Sequence, residues 1–194
     1  MAHLPQLYLA SQSPRRAALL QQIGVDYEVL SVAVNETMAV SETPEHYARR
    51  LATEKARAGW CALSPEQQRP VLGADTIVIA ADRVMGKPAD RQQAIAMLLA
   101  LSGTTHQVIT AVALAAGHER VCSQCSRVTF RSLTRQECEA YWESGEPRDK
   151  AGGYAIQGLA AMFITRLDGS YSGVMGLPLY ETTELLKTFG IVVL

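Results

Sequence analysis

Leu7-Tyr8-Leu9-Ala10-Ser11-Gln12-Ser13-Pro14-Arg15-Arg16, continued through Ala17, Leu19, Leu20 and Ile23 to Gly24, reads as strand, turn and helix. The short apolar run predicts a buried strand. Ser13 is a residue type that favours the N-cap, and Pro14 suits the first helical position, where its missing N–H is no loss. The later apolar residues recur at helical spacing, and Gly24 stops the helix. A strand feeding such a helix presents backbone N–H groups and the positive end of the helix dipole, a combination that binds anions. Ser11, Ser13, Arg15 and Arg16 lie on that same turn and add hydroxyls and guanidiniums suited to phosphate. The alternative is an ordinary cap at Ser13 with solvated arginines.

Outward from this unit, strands and helices intermix along the whole chain. Tyr27 to Val34 predicts a second strand, and Thr43-Pro44 opens a long helix with Tyr47, Leu51 and Ala58 on one side, running to about Cys61. Val71 to Ala80 predicts a strand that reverses around Ala81-Asp82-Arg83 and returns through Val84 to Lys87. Ala94, Met97, Leu98 and Leu101 mark a helix that ends at Gly103. Gln107 to Ala115 and Val121 to Arg131 predict two long strands joined at Gly117, and helices follow at Thr134 to Trp142 and around Thr182, Leu185, Leu186 and Phe189. Strict βαβ alternation is absent, so the expected architecture is α/β with a mixed, twisted sheet and flanking helices. No internal repeat or linker divides the chain, and its 194 residues predict a single domain, 1–194.

With 18 basic against 19 acidic side chains the net charge is −1, which argues against a nucleic-acid or polybasic membrane binder. The longest apolar runs, such as Val108 to Ala116, fall far short of a transmembrane span. The first residues lack the basic and apolar regions of a secretion signal. A cytoplasmic location is expected, with Cys61, Cys122, Cys125 and Cys138 as reduced thiols. Cys122 and Cys125 form a lone CxxC within a predicted strand, where positions i and i+3 face opposite sides, which makes a zinc site a remote reading. His3, His46 and His106 show no ligand spacing and are expected at the surface or in caps.

Asp75 is the second chemical signal. Alternation through Val71, Gly73, Asp75, Ile77 and Ile79 sets it in an apolar strand, where an ionised carboxylate must be paired, metal-bound or functional. The hairpin would bring Lys87 back alongside Thr76 to Val78, so a structural Asp75–Lys87 ion pair competes with a catalytic role. Arg50 and Glu54, four apart, could be a surface pair, and Glu36 could be a solvated loop acid. Gly86-Lys87-Pro88 is not a Walker A loop, because Ala81 replaces its first glycine and Pro88 its Ser or Thr. Gly169-Ser170-Tyr171-Ser172-Gly173 puts tyrosine where a nucleophile elbow needs serine.

Taken together, Leu9 to Arg16, Arg50 to Ala56, Leu72 to Thr76, Gly86-Lys87-Pro88, Leu101 to Val108, and Gly169-Ser170-Tyr171 with Gly176-Leu177-Pro178 resemble the Maf family of nucleotide pyrophosphatases. The resemblance implies an ITPase-like fold with a central cleft between two lobes. It further implies a divalent cation, Mg²⁺ or Mn²⁺, and hydrolysis of nucleoside triphosphates to monophosphate and pyrophosphate. By that resemblance Asp75 accepts the proton of the attacking water, and Lys87 and Lys55 neutralise phosphate charge. Ser11, Ser13, Arg15 and Arg16 hold the triphosphate, and Glu36, Glu54 and Asp75 are the metal-site acids. The segment Asp149 to Gly158 looks like the branch acting on dTTP and UTP, with Arg15, Thr76 and Gln157 associated with base choice. The Gln157 amide can donate to a pyrimidine O4 and accept from N3–H. A 7-methyl-GTP pyrophosphatase and a weakly catalytic regulator of septum formation are the alternatives. Homodimerisation is common in the family.

Overall fold

The computed structural model describes residues 4–193. The strands are β1 (Leu7–Leu9), β2 (Tyr27–Val29), β3 (Val71–Ala80), β4 (Arg83–Met85), β5 (Thr105–Ala115), β6 (Glu119–Phe130) and β7 (Ile164–Asp168). They form one mixed sheet in the order β2-β1-β3-β5-β6-β7, with β4 paired to β3. β1 runs parallel to both β2 and β3, while β3–β4 and β6–β7 are antiparallel. The helices are α1 (Pro14–Gln22), α2 (Pro44–Ala62), α3 (Arg91–Leu101), α4 (Arg135–Glu143), α5 (Tyr171–Met175) and α6 (Leu179–Lys187).

The chain divides into two compact units, each assembled from separate stretches. One comprises the chain up to Asp75, Thr110–Gln124 and the chain from Gly176 onward; the other comprises Thr76–Ile109 and Cys125–Met175. Three of the boundaries fall inside β3, β5 and β6, and the fourth follows α5. Among the described residues no helix is long and apolar enough to cross a membrane.

In the first unit, β1 is fully buried and its Tyr8 and Leu9 sit beside Val71 and Leu72 of β3. Tyr8, Ala10 and Val71 pack with Leu30, Val32, Trp60 and Leu63. The expected strand from Tyr27 to Val34 ends at Val29. Leu30 N–H still donates to Leu9 O at 2.9 Å, but beyond it the chain leaves the sheet as an irregular segment held by side chains of α2. β3 is buried continuously from Val71 to Asp75 rather than on alternate residues, so both of its faces are covered there.

In the second unit the hairpin turns through Ala81 and Asp82, both at positive φ, as a two-residue turn matched to strand twist requires. α4 carries a capping box, with Thr134 and Glu137 satisfying each other's backbone N–H groups. Ile95, Leu98, Leu101, Val128, Phe130, Tyr141, Ile156 and Phe163 form the core.

His106 belongs to this core, which corrects the surface or cap position expected for it. On β5 it alternates with exposed Thr105 and Gln107, so its ring enters the apolar face. It packs edge-on to Phe130 at 5.1 Å and its Nε2 meets Tyr154 Oη at 2.8 Å, while Nδ1 is buried without a hydrogen-bond partner. Burial lowers its pKa to about 4. Between that value and the ordinary 6.5 the unfolded chain binds a proton that the folded chain does not, so stability falls as pH falls through this window. At about 1.4 kcal/mol per pH unit the full loss is roughly 3 kcal/mol. Urea denaturation from pH 7 to 4 should show a steeper loss for the native chain than for His106→Gln; parallel curves would contradict this. His46, in contrast, is exposed in the first turn of α2, and His3 lies outside the described residues.

Candidate active site

The first unit gathers ionisable side chains from three places in the sequence. α2 lies directly on β3 because Gly73 faces Ala52 and Ala56: a Cβ at Gly73 would overlap Ala52 O and Ala56 N. That close approach brings Lys55 to Asp75, Nζ to Oδ1, at 2.7 Å. The same Nζ meets Glu36 Oε1 at 2.8 Å. Asp75 and Lys55 are largely shielded from water, whereas Glu36 is more than half exposed. The buried aspartate therefore has a lysine partner, but it comes from α2 and not from the hairpin.

The first turn of α1 supplies two further cations, Arg15 and Arg16, next to the serines that precede it. Ser13 occupies the N-cap position, yet its side chain makes no capping bond. Ser11 Oγ instead accepts from Ser13 N–H at 3.3 Å and from Arg16 Nη1 at 3.0 Å. Arg16 Nε donates to Gly176 O at 2.8 Å. Burial lowers the Arg16 pKa, Asp75 and Glu36 oppose that shift, and Arg15 reinforces it. Arg15, Glu36 and Asp75 thus all act electrostatically on Arg16.

Glu36 is held by a brace that the sequence did not disclose. Tyr47 Oη donates to Glu36 O at 2.6 Å. Arg50 donates to Asn35 O and Thr37 O, on either side of Glu36, at 3.4 and 3.1 Å. Its guanidinium is fixed in turn by a two-point contact with Glu42, at 2.8 and 2.9 Å, and by Glu54 at 3.3 Å. Arg50 holds the Glu42 carboxyl down to about 2. The spacing of Arg50 and Glu54 anticipated their pairing; nothing marked Glu42, which lies before the helix begins. The Asn35–Thr37 side-chain turn, with Thr37 N–H on Asn35 Oδ1 at 2.9 Å, is the one local signal for this loop.

Thr76, Lys87 and Gln157 belong to the second unit. Lys87 is exposed just after β4. Gly86 O accepts from Gly152 N–H at 3.0 Å, joining the lysine's loop to the segment that carries Gln157. Gln157 is itself exposed between buried Ile156 and the turn closed by Gly158 N–H on Ala155 O at 3.1 Å.

Among the described residues no three His, Cys, Asp or Glu side chains are placed to hold a metal ion, and no disulfide joins the four cysteines. Cys122 is turned to Val112 O and Glu181 O, and Cys125 to Gln107. Asp75 and Glu36 do converge on one cationic point, the Lys55 ammonium. Two carboxylates fit Mg²⁺ or Mn²⁺ held jointly with substrate phosphates, the usual manner for such ions. Glu54 faces Arg50 instead.

The family described as Maf-like protein matches residues 6–189. A dTTP/UTP pyrophosphatase of Alkalilimnicola ehrlichii is 52% identical over 190 residues, covering 96% of this chain and 94% of its own. Those of Saccharophagus degradans and Xanthomonas campestris pv. campestris are 55% and 53% identical, covering 94% and 95% of this chain and 88% and 98% of their own. This chain belongs to the Maf family.

Proposed function

We propose that this chain hydrolyses nucleoside triphosphates, dTTP and UTP foremost, to the monophosphate and pyrophosphate. The observation that carries the reading is the buried Asp75 carboxylate held by Lys55 beside Arg16 and Glu36. The names of relatives about half identical over nearly the whole chain support the same chemistry and favour pyrimidine nucleotides over 7-methyl-GTP. A regulator without catalysis has no use for a buried acid poised among cations.

In this reading the triphosphate enters among Ser11, Ser13, Arg15, Arg16 and Lys55, with Lys87 a further counter-charge assigned by the family resemblance. Phosphate oxygens compete with Asp75 and Glu36 for the Lys55 ammonium, which frees Asp75 to accept a hydrogen bond from water. As the water oxygen bonds to phosphorus its proton passes to Asp75. The P–O bond linking the α and β phosphates breaks, and the cations stabilise the charge left on the departing oxygen. Asp75 and Glu36 would hold Mg²⁺ or Mn²⁺, and that ion, when bound, neutralises phosphate charge. The family resemblance associates Arg15, Thr76 and Gln157 with base choice, and the Gln157 amide has the donor and acceptor to pair with O4 and N3–H of thymine or uracil. The cytoplasmic nucleotide pool is the natural source of these substrates.

Pyrophosphate release from dTTP, UTP, CTP, GTP and 7-methyl-GTP, with Mg²⁺, Mn²⁺ or chelator, tests the assignment. The expected result is metal-dependent cleavage of dTTP and UTP at least about tenfold above the others, the scale of one well-placed polar contact. Cleavage confined to 7-methyl-GTP would refute the base assignment.

A further inference from the structure

Gln157 stands in a turn that is tied to the Glu146 carboxylate, directly on one side and through the Tyr141 hydroxyl on the other. Glu146 Oε2 accepts from Leu159 N–H at 2.9 Å, and Oε1 accepts from Ala160 N–H at 3.3 Å. Oε1 also accepts from Tyr141 Oη at 2.6 Å. Tyr141 Oη accepts in turn from Ala155 N–H at 3.1 Å, on the other side of Gln157. Glu146 is itself aimed by the chain that follows α4. Gly145 adopts positive φ, and Ser144 Oγ accepts from Glu146 N–H at 3.2 Å. The carboxylate fills the space beside Gly158 so closely that a Cβ there would overlap it. Only an ionised carboxylate can accept from three donors through two oxygens without presenting a donor of its own.

We propose that Glu146, acting with Tyr141, is a positioning residue for base selection, holding the Ala155–Ala160 backbone so that Gln157 is presented in a fixed place. The inference rests on the reading of Gln157 as the base-selecting residue. Glu146 lies outside the reacting groups, so its loss should spare the chemical step and blur the choice of base. Such an effect is distinct from simple destabilisation, which lowers the amount of active protein equally for every substrate.

The test is kcat and KM for UTP and CTP in the native chain, Glu146→Gln, Tyr141→Phe, Gln157→Ala, and the Glu146→Gln/Gln157→Ala double variant. Glu146→Gln should lower the UTP-over-CTP ratio of kcat/KM by roughly tenfold, mainly through KM for UTP, the size expected when a fixed polar contact is lost. Tyr141→Phe should shift the ratio in the same direction and serves where Glu146→Gln fails to fold. In the double variant the ratio should match that of Gln157→Ala alone, because Glu146 acts through Gln157. An unchanged ratio in the folded single variants, or independent losses that multiply in the double variant, would overturn the proposal. A native chain indifferent to the base would overturn the reading of Gln157 and this inference with it, and is recognised before any variant is made.

Discussion

Asp75→Asn is expected to lower turnover of UTP by roughly 10²- to 10⁴-fold, the range associated with loss of a positioned general base. Asparagine keeps the size of the side chain and a carbonyl oxygen that can accept from Lys55, but it cannot take up a proton. The substitution also removes one member of a shielded ion pair. Lys55 keeps Glu36 at 2.8 Å, so its ammonium is not stranded and the fold should survive. Steady-state turnover, paired with a thermal melt of the same preparation, separates the two effects. A folded variant within a few-fold of native turnover would remove Asp75 from the chemistry.

Gly73→Ala is expected to cost stability and activity together. The added methyl meets Ala52 O and Ala56 N, backbone atoms of a helix that cannot yield as a flexible side chain would. Forcing extra volume into such a contact costs about 1–3 kcal/mol. Lys55 rides on the displaced turn of α2, so its contact with Asp75 should be lost as well. Gly86→Ala is the matched comparison for stability, because a Cβ there meets nothing within 4 Å. Chemical denaturation should place Gly73→Ala well below the native chain and Gly86→Ala close to it; equal midpoints for all three would refute the packing argument.

Local chemistry was legible where it acts over a few residues. The Leu7–Gly24 unit, the helix start at Thr43-Pro44, the turn at Ala81-Asp82 and the helix after Thr134 all announce themselves through capping or turn residues. β7 did not. Ile164–Asp168 is short, shows no buried alternation, and is ordered by pairing with β6 about forty residues away. Tyr27–Val34 has strand-like composition, but side chains of α2 draw the loop after Leu30 off the sheet. The Asp75 partner illustrates the same divide. Sequence proximity favoured Lys87 across a hairpin, whereas Lys55 reaches the carboxylate because Gly73 admits a helix, a tertiary fact with no local signature. Glu146 was hidden for a similar reason: its meaning lies in amides 13 and 14 residues further on.

Cleavage between the α and β phosphates is tested most simply by phosphorus NMR of UTP turned over by the purified chain in the presence of Mg²⁺. The expected products are UMP and inorganic pyrophosphate, with none formed by Asp75→Asn on the same timescale. Formation of UDP and orthophosphate would contradict it.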